Sequence, residues 1–468
     1  MSEARRDPVQ AIEAETEDGL AMPARAWAIA SVALAIAMTV LDSSIANIAL
    51  PVIARDFGAA PAESVWIVNA YQLAIVISLL PLASLGEIIG FRRVYLAGLA
   101  VFTLASLACA LSHSLTALTL ARTLQGFGAA GVMSVNGALV RFIYPHRLLG
   151  RGIGLNAMVV SVTSAFGPSV ASAILSLGPW PWLFAVNVPV GLAALALAAR
   201  VLPANPLSGR PFDWVSALLN AAMFGFLIGG VDVITRTSAK GWGAVELVAG
   251  AAAGWILARR EWSRPRPLVP FDLLRDRTFT LSVLTSIGSF AAQMLAFVSL
   301  PFHFEMALHR GQVATGLLLT PWPAAVAIAA PLAGRLADRM SSALLCAIGL
   351  LALAAGLIAL ALLRADASNL DIGWRMALCG LGFGFFQAPN NRMMLTAAPR
   401  ERAGAAGGML GTARLTGQTI GAVLTAITLE MFGGHGEVTA LGLAAAFALA
   451  AALFSALRLG RPQIRSKP

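Results

Sequence analysis

PLASLGEIIGFRR at 81–93 and PLAGRLADRMSS at 331–342 decide how this chain is read, because they are two copies of one pattern. Each closes an apolar run with a carboxylate followed by arginine, and each stands near the start of its own half of the 468 residues. In a hydrophobic chain such a repeat marks two similar helical bundles, and bundles so related hold a solute between them.

The composition around the repeat sets the solvent. With 58% hydrophobic and 12% charged residues and a mean hydropathy of +0.77, the chain has more apolar surface than a water-soluble core can hide. In lipid every backbone amide needs an internal partner, and these uninterrupted apolar runs supply it as helices; barrel strands would alternate in polarity, and these do not. Residues 1–24 are polar and acidic, with Glu13, Glu15, Glu17 and Asp18, and read as a disordered tail. Residues 26–50 are long enough to span and lack a cleavage site, so the first helix is expected to stay as an anchor.

The fold class expected is an all-α polytopic membrane protein with two pseudo-symmetric six-helix bundles and two extra central helices. About fourteen spans are predicted. Their centres fall near Ile36, Ile75, Leu104, Ala130, Ser164, Ala193, Phe224, Ala252, Phe290, Ala325, Ala352, Phe383, Leu415 and Phe447. Arginines gather on one face, at 92–93, 141–151, 200–210, 259–277, 335–339, 392–402 and after 458, which makes that face and both termini cytoplasmic. The net charge of +10 then reflects topology and anionic lipid, with no reason to invoke nucleic acid. RREWSRPRPLVPFDLLRDR at 259–277 separates the second bundle from what precedes it. The expected division is a cytoplasmic tail at 1–24, a first bundle at 25–202, two inserted helices at 203–260, a second bundle at 261–458 and a tail at 459–468.

Four further stretches carry a resemblance. LDSSIANIALP at 41–51 places Asp42, Asn47 and Pro51 on the first span, and RTLQGFGAAG at 122–131 places Arg122, Gln125 and Gly126 on the fourth. SAFGPSVAS at 164–172 has Gly167 and Pro168 on the fifth, and WPWLFAVNVPVG at 180–191 opens the sixth. With the repeated loop, in which Glu87, Gly90, Arg92 and Arg93 match Gly334, Arg335, Asp338 and Arg339 in role, the chain from about 26 to 458 resembles the major facilitator superfamily, in its fourteen-helix drug:proton antiporter branch. It departs from the family pattern at Ala83, Ile88, Ala171, Ser172, Pro181 and Ser341. The resemblance implies a proton-coupled multidrug efflux antiporter of the quaternary-ammonium resistance type, working as a monomer in the bacterial inner membrane.

Physical chemistry singles out the same residues. A charge at mid-membrane costs about 2.5–3.5 kcal/mol even on the lenient insertion scale, so each one kept there is a functional candidate. Asp42 and Arg122 are the clearest, each roughly 12 Å from the outer surface at about 1.5 Å per residue. If their helices adjoin, a pair near 4 Å at an effective dielectric of 20 gains about 4 kcal/mol, while desolvation pushes the carboxyl towards the neutral acid. These opposed effects are comparable, which suits proton exchange at Asp42; a fixed structural ion pair is the alternative. Export of a monovalent cation needs more than one proton to gain from the membrane potential, so Glu305, Glu430 and Asp232 are further acids to consider, against their being solvated helix ends.

Glu87, Gly90, Arg92 and Arg93, with Gly334, Asp338 and Arg339, suit a cytoplasmic gate, and Gly167 with Pro168 suit a bend in the fifth helix. Asn69, Tyr71, Gln72, Asn136, Gln293, Phe386, Gln387, Asn390 and Asn391 are expected to line the substrate cavity. Arg414, deep in the thirteenth span, either answers a carboxylate or substrate across that cavity or snorkels within its bundle. GFGAAG at 126–131 spells a dinucleotide fingerprint, but it follows no strand, so helix packing is the reading. Cys109, Cys346 and Cys379 lack metal spacing, no residue set suggests an enzyme, a metal or a cofactor, and no phosphate-binding loop points to ATP.

The function expected is therefore secondary active export of small hydrophobic, preferentially cationic compounds in exchange for protons by alternating access. A proton-coupled exporter of an endogenous metabolite is the alternative. A membrane sensor or enzyme is the remote one, since it would call for a large extramembrane domain.

Overall fold

The computed structural model describes residues 19–145, 148–204, 207, 211–236, 240–262, 271–337, 339–364, 366–397 and 403–459. Among them every regular element is a helix. In chain order these are α1 Ala24–Asp56, the short α2 Pro61–Ser64, α3 Trp66–Ile89, α4 Phe91–Ala110, α5 Leu115–Ile143, α6 Leu149–Leu177, the short α7 Trp182–Ala185, and α8 Asn187–Val201. They continue with α9 Trp214–Arg236, α10 Lys240–Trp262, α11 Arg277–Phe302, α12 Gln312–Leu319, α13 Pro321–Leu336, α14 Ser342–Ala361, α15 Asn369–Ala397, α16 Ala403–Phe432 and α17 Gly436–Ala456. All fourteen centres expected from the sequence fall inside helices. By length and composition, 10 segments among the described residues can cross a membrane, and Phe166–Leu177 and Trp214–Gly230 are shorter apolar helical stretches. This is a multi-pass membrane protein.

Local chemistry sets several helix boundaries. Ser114 caps α5 by accepting from the Ala117 amide at 3.2 Å, and Asp276 caps α11 by accepting from the Phe279 amide at 2.7 Å. Gly90, at φ 109°, is the single residue between α3 and α4, a backbone conformation that other residues rarely adopt. Pro301 breaks the α11 ladder near its end, and the chain continues as a π-helix at His303–Ala307.

Packing repeats as the sequence does. In the first part of the chain α1 packs on α6 and α8, α3 on α5, and α4 on both α5 and α8. In the last part α11 packs on α16 and α17, α13 on α15, and α14 on both α15 and α17, which is the same set of pairings. The first and last sets meet through α1 against α11, α3 against α16, and α6 against α12 and α13. Between them in sequence, α9 and α10 form a hairpin closed by Ser216 Oγ donating to Glu261 Oε1 at 2.6 Å, and Asn220 ties α9 to the Ile77 carbonyl of α3 at 2.9 Å.

Close approach of helices depends on small residues. A Cβ on Gly98 would stand 2.8 Å from the Gly131 Cα, and one on Gly126 would stand 2.5 Å from the Tyr71 carbonyl oxygen. GFGAAG is therefore where α5 presses against α3 and α4.

Candidate functional site

Asp42 lies on α1 and is 1% exposed. Both of its oxygens are engaged. Oδ2 accepts from Arg122 Nη1 at 2.5 Å, and Oδ1 accepts from Gln125 Nε2 and Asn187 Nδ2, each at 2.8 Å. Arg122 and Gln125 come from adjacent turns of α5, so one helix face supplies both; Asn187 starts α8. Gln125 also accepts from Arg122 Nη1 at 2.6 Å and donates to Ser106 on α4 at 2.8 Å. Side chains of α5 and α8 thus converge on the α1 carboxylate, and α4 supports them through Ser106. The equal depths read from the sequence become direct contact, and the pair's charges cancel with nearly every lone pair used, as burial requires.

Tyr71 separates this cluster from open space. The Arg122 guanidinium carbon is 4.0 Å from the Tyr71 ring centroid, and the same tyrosine lines a cavity of about 160 Å³ between the first and last helix sets. The first set contributes Thr39, Val40, Ser43, Ser44 and Asn47 from α1, Tyr71, Gln72 and Ile75 from α3, Met133 from α5 and Val160 from α6. The last set contributes Gln293, Met294 and Phe297 from α11 and Arg414, Leu415 and Gln418 from α16. Asp42 does not line it. The one charged side chain among these lining residues is Arg414, whose Nε is shielded from solvent and without a hydrogen-bond partner.

Of the cavity residues expected from the sequence, Tyr71, Gln72, Gln293 and Arg414 are there. The others are placed elsewhere. Phe386 sits in an aromatic cluster, with ring centroids 5.5 Å from Phe383 and 6.2 Å from Phe290. Asn390 holds the end of the last helix set together, donating to Ser286 Oγ at 2.9 Å and accepting from Arg458 Nη1 at 2.8 Å. Asn69 is fully buried on α3 with neither amide atom partnered, and Asn136, Gln387 and Asn391 are half-buried outside the cavity wall. Periodicity alone does not show which face of a helix points at its own bundle and which at the other. Gln125, singled out with Arg122 by the motif at 122–131, joins the site, as do Asn187 and Gln418, which no expectation named and whose one signal was a carboxamide in the middle of an apolar run.

At the arginine-rich end Glu87 is exposed, while Arg92 donates to the Ala199 carbonyl and Arg93 to the Ile89 carbonyl at 3.2 Å. Gly334 is half-buried, Arg339 is exposed, and Asp338 lies outside the described residues. Gly167 and Pro168 are buried in α6, and a Cβ on Gly167 would stand 2.8 Å from the Ser44 Cβ, so α6 closes against α1 beside the cavity. At the arginine-poor end Glu305 is paired across the two sets with Arg55 at 2.6 Å. Glu430 is exposed on α16, and the side chain of Asp232 lies outside the described residues.

The Major Facilitator Superfamily model matches residues 32–422. The chain belongs to the major facilitator superfamily. Its similarity to the uncharacterized transporter YebQ of Escherichia coli K12 is 53% identity over 96% of this chain and 99% of that one. The riboflavin transporter RibZ of Clostridioides difficile is 29% identical over 82% of this chain and 83% of its own. The multidrug resistance protein Stp of Mycobacterium tuberculosis CDC 1551 is 33% identical over 83% of this chain and 73% of its own. Asp42 faces Arg122, Gln125 and Asn187, and the cavity wall carries the cation Arg414.

Proposed function

We propose that this superfamily member is a secondary active transporter that exports small hydrophobic compounds in exchange for protons by alternating access. The observation that carries the reading is a neutralised carboxylate and guanidinium one aromatic ring away from a cavity walled by both helix sets. In this arrangement the oxygens of Asp42 are taken up by their donors; when the sets rock, movement of Arg122 or Tyr71 opens the carboxylate to a proton. The cavity of about 160 Å³ is smaller than the roughly 300–1,000 Å³ of ordinary ligand pockets, so cargo enters an opened form of it.

The supporting architecture has about fourteen spans, with the first bundle at 25–202, the hairpin at 203–260 and the second bundle at 261–458. Arginine distribution orients both termini to the cytoplasm of a bacterial inner membrane. Resistance and multidrug efflux are suggested by the name of the tuberculosis relative, and the riboflavin relative shows that the family background alone does not choose the cargo.

The test uses everted vesicles from an efflux-deficient strain, an imposed pH gradient and a panel of dyes, quaternary ammonium compounds and organic acids. Wild-type vesicles concentrate at least one of these and lose the gradient as they do so. Asp42→Asn vesicles, with the protein present at wild-type level, show no uphill movement; undiminished accumulation by this variant rejects proton coupling at Asp42.

A further inference from the structure

We infer that the cargo is an amphipathic organic anion, a carboxylate or comparable acid on a flat apolar body, and that Arg414 is the group that holds its charge. This deepens the transport reading above and rests on it, since only a transporter has a cargo. Asp42 and Arg122 cancel within their own cluster, and among the described residues no Asp or Glu lines the cavity. Arg414 remains, a half-buried positive charge on the wall of the cavity between the two helix sets. Its Nε is shielded from solvent and has no hydrogen-bond partner, and a cation partly withdrawn from water in a membrane-embedded helix favours an arriving counter-charge.

The form of the side chain favours an oxyacid over a compact ion. Arginine offers Nε and one Nη as two parallel N–H donors that match the two oxygens of a carboxylate, and in Arg414 the Nε is the atom left without a partner. Around it the wall divides by chemistry. Gln293 and Gln418 carry amides that can turn either donor or acceptor inward, while Ile75, Met133, Phe297 and Leu415 offer apolar surface to a ring.

The same assignment simplifies the coupling. Outward movement of a monoanion and inward movement of one proton both run with an inside-negative potential, so a single exchanging carboxylate is sufficient. Export of a monovalent cation would gain from the potential only with a second exchanging acid, and the cavity wall carries no carboxylate among the described residues.

The test is equilibrium binding to the purified full chain, by calorimetry at one pH and salt concentration, with three probes of one shape: 1-naphthoate, 1-naphthamide and 1-naphthylmethylammonium. The wild type should bind the anion at least about tenfold more tightly than the ammonium, with the amide between them. Arg414→Gln should abolish the preference and Arg414→Lys should keep part of it, both variants retaining the wild-type melting temperature within a few degrees. Equal affinities, a preference for the ammonium, no measurable binding of naphthoate, or naphthoate affinity unchanged in Arg414→Gln would each overturn the assignment. Binding needs no gradient, so a failure of proton-driven export in vesicles leaves this measurement standing, and the reverse also holds.

Discussion

At the scale of single residues, the Asp42 carboxylate is a charge whose cost is met locally. Three side chains from two other helices donate to it, and the nearest of them, Arg122, is itself 1% exposed and also donates to Gln125 Oε1 and the Ile67 carbonyl. Replacing Arg122 by Ala leaves a buried carboxylate without its cation, and loss of about 3–5 kcal/mol of stability is expected, read as a lower melting temperature of the purified protein. Asn187→Ala removes one neutral donor and should cost about 1–2 kcal/mol while leaving the ion pair intact. If the two variants melt together, the ion pair stabilises the cluster no more than a neutral hydrogen bond does. Asp42 and Arg122 were legible in the sequence because a charge in an apolar run has few innocent explanations. Gln125 was marked only by its motif and Asn187 not individually, because an amide in such a run packs or caps as readily as it serves a site.

At the scale of elements, helix faces are assigned by what a Cβ would meet. Gly421 on α16 would carry a Cβ 2.5 Å from the Ala291 carbonyl and 2.8 Å from the Met294 Cβ, whereas Gly411, on the same helix, would meet only Leu79 Cδ2 at 3.8 Å. Gly421→Ala should therefore destabilise by about 1–3 kcal/mol and Gly411→Ala by less than about 0.5, comparable melting curves being the control. Equal effects would mean that α16 does not sit against α11 as described. Gly417 and Gly421 stand one turn apart on α16, and spacing alone does not say which neighbour they pack against. It is α11, the helix that with α16 also supplies the last set's share of the cavity wall.

At the scale of the whole molecule, three polar contacts bridge the first and last helix sets towards the arginine-poor end. They are Arg55 with Glu305 at 2.6 Å, Ser169 with Thr320 at 3.0 Å, and Gln312 donating to the Leu175 carbonyl at 3.3 Å. Arg55 is 66% exposed and Glu305 is 1% exposed at the side chain, so solvent screening keeps the pair modest, about 1 kcal/mol or less. That is still enough to bias a two-state rocking equilibrium several-fold. Arg55→Ala should speed reaction of a cysteine placed at Ser169 with a membrane-impermeant maleimide several-fold, and an unchanged rate would show that the pair does not hold that end closed. The apolar runs, the two copies of the loop motif and the rarity of membrane-embedded charge determined the helical class, the internal repeat and the pair Asp42 and Arg122, because lipid leaves a chain few ways to satisfy its backbone or hide a charge. Only the tertiary structure decided that Asp42 turns away from the cavity, that Tyr71 stands between, and that Arg414 looks in. Those facts depend on how helices distant in sequence are rotated against one another, and close packing fixes that rotation only when all of them are in place.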